Sequence, residues 1–90
     1  MKKRIDALTP RQREIVRLIS LGCTIEEIAL VLDLSPSTVD NHKSRAMKTL
    51  GTDKSVLIAR LAIKYRISAL GDKLTPKEKR RSGRKQDGWN

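Results

Sequence analysis

The sequence predicts an all-α fold, a four-helix bundle containing a helix-turn-helix, with helices over about residues 9–21, 25–32, 36–50 and 54–67. Three observations carry this. Apolar residues recur at three- and four-residue spacing through each segment. The first three segments each open on a hydroxyl residue suited to capping: Thr9 before Pro10, Thr24 three residues ahead of Glu27, and Ser35 before Pro36. Only Asp33 and Leu34 separate the second segment from the cap of the third, so those two helices must cross steeply.

Met1 to Ala7 is a short basic lead-in, expected to be loosely held. The first helix then starts at Leu8-Thr9-Pro10, with Glu14 suited to the positive helix end. Its packed stripe is Ile15, Leu18 and Ile19, with Val16 and Leu21 beside it, and Gly22 ends it. The second helix turns Ile28, Ala29 and Leu32 inward. Its turn lacks the glycine common in such motifs, and Leu34 is expected to plug it from inside.

The third helix has the clearest limits, Ser35-Pro36 at its start and Gly51 at its end, where a left-handed residue closes the last turn. Val39, Ala46, Met47 and Leu50 fall on one face; Ser37, Asn41, Ser44, Arg45 and Lys48 fall on the other. Lys43 projects about 40° from Val39, inside the packed arc. Its stem is therefore expected along the bundle, with the ammonium pushed out towards an anionic partner. The fourth helix is apolar on more than one face. A stripe of Val56, Ala59, Ile63 and Ile67 suffices for the core, which leaves Leu57, Ile58 and Leu61 either to widen that face or, the favoured expectation, to form a dimer contact.

Ninety residues make one domain, residues 8–70 here, too small for a large catalytic cleft. A formal charge of +10 predicts a polyanionic partner, nucleic acid or an anionic membrane surface. The only aromatic residues are Tyr65 and Trp89, so stacking of unpaired bases has little material, and duplex becomes the better expectation. A single cysteine, Cys23, excludes an internal disulfide and fits a reducing cytoplasm, where it is expected to be a structural thiol. No apolar run is long enough for a signal peptide or membrane span. Paired carboxylates, metal clusters and nucleophile–base pairs are missing from the sequence pattern, so neither an enzyme nor a cofactor or metal site is expected. Residues 71–90 carry a net +4 and almost no apolar residues; they are expected to be a disordered basic tail. Within it Thr75-Pro76-Lys77-Glu78 could start a brief helical turn, and Lys79-Arg80-Arg81 with Arg84-Lys85 either brush phosphates or merely solubilise.

Four separated blocks then stand out in order: Leu8-Thr9-x-Arg11-x-Arg13-Glu14, Gly22-x-Thr24-x-x-Glu27-Ile28-Ala29, Leu34-Ser35-x-x-Thr38-Val39-x-x-His42 and Leu50-Gly51. Through them Leu8 to about Ile67 closely resembles the LuxR-type (GerE-like) helix-turn-helix domain of bacterial transcription regulators. The resemblance implies a four-helix domain that binds duplex DNA as a homodimer through its fourth helix, with the third helix in the major groove. It implies a cytoplasmic, nucleoid-associated protein, with RNA polymerase as a further candidate partner. Many relatives also carry a receiver or ligand-sensing domain, so this chain resembles a stand-alone form or a fragment. One departure matters: relatives commonly have lysine directly after the Thr-Val pair, where this chain has Asp40. An acidic side chain there must accept from a base such as cytosine or pair with Lys43 or Ser44.

The DNA-binding candidates are therefore Thr24, Ser37, Thr38, Asp40, Asn41, Lys43, Ser44, Arg45 and Lys48. Such helices reach bases with their N-terminal half, which favours Asp40, Asn41 and Ser44 for base edges. Lys48 and Thr24 are better suited to phosphate. His42 lacks metal-binding company and is expected to lie partly buried against the second helix. The competing reading is a helix-turn-helix interaction module that binds another regulator or RNA polymerase without reading bases; Asp40 is its support.

Overall fold

The computed structural model describes residues 1–84. Six helices and no strand occur among them: α1 (Lys2–Asp6), α2 (Pro10–Ser20), α3 (Ile25–Leu32), α4 (Pro36–Leu50), α5 (Ser55–Lys64) and α6 (Pro76–Ser82). The all-α expectation holds, and the helix-turn-helix is α3 and α4.

Local chemistry sets the ends of the central helices. Thr9 caps α2 by accepting from the Gln12 amide at 3.1 Å, and Gln12 Oε1 accepts the Thr9 N–H at 3.0 Å. Gln12, not Glu14, closes this box. Thr24 and Glu27 form the same reciprocal pair at the head of α3. The Asp33 backbone takes the left-handed conformation, φ 56°, and lets the Leu34 amide donate to the Ala29 carbonyl at 2.9 Å. An aspartate tolerates that conformation better than most residues, which is why the tight turn works without glycine. At the end of α4, Gly51 at φ 76° directs its own N–H and that of Thr52 to the Met47 carbonyl.

Burial is organised in two clusters that share α2 as a wall. Ile15, Leu18, Ile28, Val31, Val39 and Leu74 form one, against which Leu34 packs. Ile5, Leu8, Val16, Ala46, Leu50, Ile58 and Ala62 form the other, and Ile19 touches both. The α2 helix thus packs on α4 and α5, while α3 sits between α4 and α6.

Three sequence expectations need correction. The α5 core stripe is Ile58 and Ala62, both fully buried, with Leu61, Tyr65 and Ile67 packed alongside. Val56 is 73% exposed and Ile63 38%. Ile58 therefore cannot serve a dimer face. A helix apolar all round carries no phase of its own; contact with α2, Ile5 and Leu8 selects it. Secondly, α5 stops at Lys64 because Arg66 turns left-handed at φ 61° and the Ile67 amide returns to the Ala62 carbonyl at 2.8 Å. Thirdly, the lead-in expected to be loose folds as α1, and within the tail expected to be disordered, residues 71–84 are folded and include α6. Ile5 is 3% exposed, and Arg13 Nη2 donates to its carbonyl at 2.8 Å. Leu74 is equally buried, and α6 opens on a Thr75–Glu78 capping box. The segments around Ile5 and Leu74 are each held by a well-seated apolar residue and by bonds from arginine, which composition does not reveal. Lys85 and Trp89 lie outside the described residues.

Candidate nucleic-acid interface

The α4 helix presents an exposed polar face. Val39, Ala46 and Leu50 are at most 1% exposed and hold it to the bundle. Ser37, Asp40, Asn41, Ser44, Arg45 and Lys48 are all exposed. Projected along the axis, they fill an arc about 140° wide opposite Val39. This arc can enter a groove while the other face stays packed.

The remaining candidates lie at its margins. Lys43 is half-buried at the shoulder of the packed face. Thr38 is half-buried, and its hydroxyl lies 2.8 Å from that of Ser35, the capping residue that also accepts the Thr38 amide at 3.2 Å. Thr38 thus completes the helix start. No ion pair or hydrogen bond among the described residues ties Asp40 to Lys43 or Ser44, so its carboxylate stands open on the face. His42 is half-buried.

Thr24, exposed at the head of α3, has its hydroxyl oxygen accepting from the Glu27 amide at 3.1 Å. Its O–H remains able to donate to a phosphate oxygen. Cys23 is half-buried against the first core cluster, and burial pushes its thiol up to about 11, out of nucleophilic range at neutral pH. Leu57 and Leu61, the other dimer candidates, line a groove beside α1 of about 660 Å³ with Met1, Leu50, Ile63 and Lys64.

Sequence reasoning missed the arginines that fasten the segment after α5 to the bundle, Arg17 on α2 first among them. Arg17 Nε and Nη2 bind the two Asp72 oxygens at 2.8 and 3.2 Å, and Nη1 binds Glu78 Oε2 at 2.8 Å. The Arg17 hydrogen bond, against the pull of burial, holds the Asp72 carboxyl below its usual range. Burial also opposes ionisation of Glu78, but the Thr75 amide and Arg17 outweigh it and hold that carboxyl low as well. The Thr75-x-x-Glu78 spacing was the one local signal of this arrangement.

A short helix, a glycine-free turn and a second helix with one packed and one open polar face define a helix-turn-helix of the DNA-binding class. The chain belongs to the family described as Sigma-70, region 4, which matches residues 1–50, from α1 through the end of α4. Transcriptional regulatory protein UhpA of Escherichia coli (strain K12) is 40% identical over 57 residues, covering 63% of this chain and 29% of that protein. Transcriptional regulatory protein MctR of Rhizobium johnstonii is 36% identical over 62 residues, 69% of this chain and 29% of that protein. The response regulatory protein YgeK of Escherichia coli, itself uncharacterized, is 35% identical over 65 residues, 72% of this chain and 44% of that protein. The chain thus spans under a third of UhpA and MctR and under half of YgeK. No solved structure matches. Among the described residues no helix is long and apolar enough to cross a membrane.

Proposed function

We propose that the chain is a LuxR-type DNA-binding domain of a bacterial transcription regulator, which reads duplex DNA sequence with α4 in the major groove. The observation that carries this reading is the open polar face of α4, seated on a packed face whose residues are at most 1% exposed. A groove-reading helix needs both properties. Asn41 suits an adenine edge, Asp40 a cytosine amino group, and Ser44 either; Arg45 extends the reach. Lys48, Lys43 and Thr24 contribute to phosphate binding and Ser37 to the helix entry. The net charge of +10 supplies attraction that is independent of sequence. Pairing of two copies on DNA uses the outward side of α5, Val56, Leu57 and Ile63, with Leu61 at its edge. The working compartment is the cytoplasm, at the nucleoid, and RNA polymerase is a candidate contact.

The test is a salt titration of binding to mixed-sequence duplex DNA. Affinity is expected to fall steeply and log-linearly as phosphate contacts are screened. Absence of binding even at low salt refutes the reading in favour of a protein-interaction module.

A further inference from the structure

The segment that follows α5 folds back over the helix-turn-helix and grips α3 at both ends. Arg84 binds Glu27 through two near-parallel bonds, Nε to Oε2 and Nη2 to Oε1, both 2.8 Å. Its Nη2 also donates to the Gly22 carbonyl at 2.8 Å and its Nη1 to that of Leu21 at 3.2 Å, the corner where α2 gives way to α3. At the other end of α3, Arg81 Nη1 donates to the Val31 carbonyl at 3.0 Å. An eight-residue helix cannot hold itself by propensity; the packing of Ile28, Ala29 and Val31 seats it, and these bonds at its two ends add to that seat.

Glu27 gives the grip on the first turn its meaning. The same Oε1 that receives Arg84 Nη2 also accepts the Thr24 N–H at 2.9 Å, and so closes the cap of α3. Burial works against ionisation of Glu27, but the Arg84 bonds and the Thr24 amide more than offset it and hold the carboxyl below its usual range. The Arg84 and Glu27 side chains are only 17% and 20% exposed, so salt does not screen the pair as it screens surface pairs. All three guanidinium nitrogens of Arg84 bond to protein, which turns its fork towards the bundle.

We propose that Arg84, acting through Glu27, is a positioning residue for DNA reading. It sets the entry of α3 and, across the Asp33–Leu34 turn, the angle at which α4 meets a groove. This role rests on the DNA-binding reading above.

The experiment uses the full chain with Arg84→Gln, Arg84→Lys and, as a comparator, Lys48→Ala. Affinity is measured for a duplex selected from a random library and for a mixed-sequence duplex, each across a salt series. Exchange of the Thr24 amide and thermal unfolding are followed alongside. For R84Q the selected duplex is expected to lose roughly tenfold in affinity while the mixed duplex stays within about twofold, a coupling of ordinary size for one buried contact. The salt slope stays unchanged, Thr24 exchanges faster, and R84K recovers part of the loss. K48A instead lowers both affinities and reduces the slope by about one. Should R84Q fail to fold, Glu27→Gln keeps an acceptor for the Thr24 amide and is expected to reproduce the selective loss. R84Q behaving like K48A would show a phosphate contact and overturn the proposal. So would lowered thermal stability with selected binding intact, which marks a merely structural pair. If the unaltered chain binds no duplex at low salt, the DNA reading itself falls, and this role with it.

Discussion

Replacing Arg17 by methionine keeps the aliphatic stem on α2 but deletes the guanidinium that fastens residues 72–78 to the bundle. Four bonds disappear, to Asp72 at 2.8 and 3.2 Å, to Glu78 at 2.8 Å and to the Lys73 carbonyl at 3.2 Å. Two carboxylates are left near each other, with side chains 22% and 19% exposed. Removing one partner from a fully buried pair costs about 3–5 kcal/mol; the residual exposure here reduces that to about 2–3 kcal/mol. For a domain of this size the melting temperature should fall by roughly 10–20 °C. Urea unfolding followed by circular dichroism measures the loss, and amide exchange locates it, with α6 expected to lose protection before α2 or α4. The difference also depends on pH. Both carboxyls are depressed in the folded state, so their stabilisation is complete above the ordinary values of 3.8 and 4.5 and drains away as pH falls through the lower folded values. The gap between the parent chain and R17M should therefore narrow in acid. A loss below about 0.5 kcal/mol at pH 7, or α6 protection unchanged, refutes the reasoning.

Ile58→Ala should cost about 2–5 kcal/mol in denaturant unfolding, because its side chain is fully buried, whereas Leu57→Ala, 42% exposed, should stay within about 0.5 kcal/mol. Gly51→Ala combines a left-handed backbone, φ 76°, with a new Cβ driven into the Arg4 guanidinium, which must release the Leu50 carbonyl; a loss of about 1–2 kcal/mol is expected, with faster amide exchange in α1. Cys23, its thiol pushed up to about 11, should react with iodoacetamide at pH 7.5 at least tenfold more slowly than a free thiol, and denaturant should abolish the difference.

What the sequence discloses and what it hides follow from the range of the forces involved. Thr9, Thr24, Ser35 and Gly51 act on backbone groups within a few residues, so the limits of α2, α3 and α4 can be read from spacing alone. The open face of α4 is equally legible, since Val39, Ala46 and Leu50 mark its packed side unambiguously. The phase of α5 is not, because Val56, Leu57, Ile58, Leu61 and Ile63 are interchangeable in pattern and only the packing of Ile58 decides among them. Leu74 and Arg84 are harder still: one apolar residue in a charged stretch and an arginine 57 positions from its carboxylate leave no periodic trace. Basic residues that composition assigns to solvent or phosphate are, at Arg17, Arg81 and Arg84, bonded to the fold itself.

The central claim, that the exposed arc of α4 reads base sequence, is tested most directly by selecting bound duplexes from a random library with the unaltered chain and with Asn41→Ala. The expected result is a consensus of two related half-sites for the former. For Asn41→Ala the preference should relax at one position per half-site, corresponding to about 1–3 kcal/mol of discrimination, with the others kept. Enrichment of no consensus by the unaltered chain, or an identical consensus from both proteins, would contradict it.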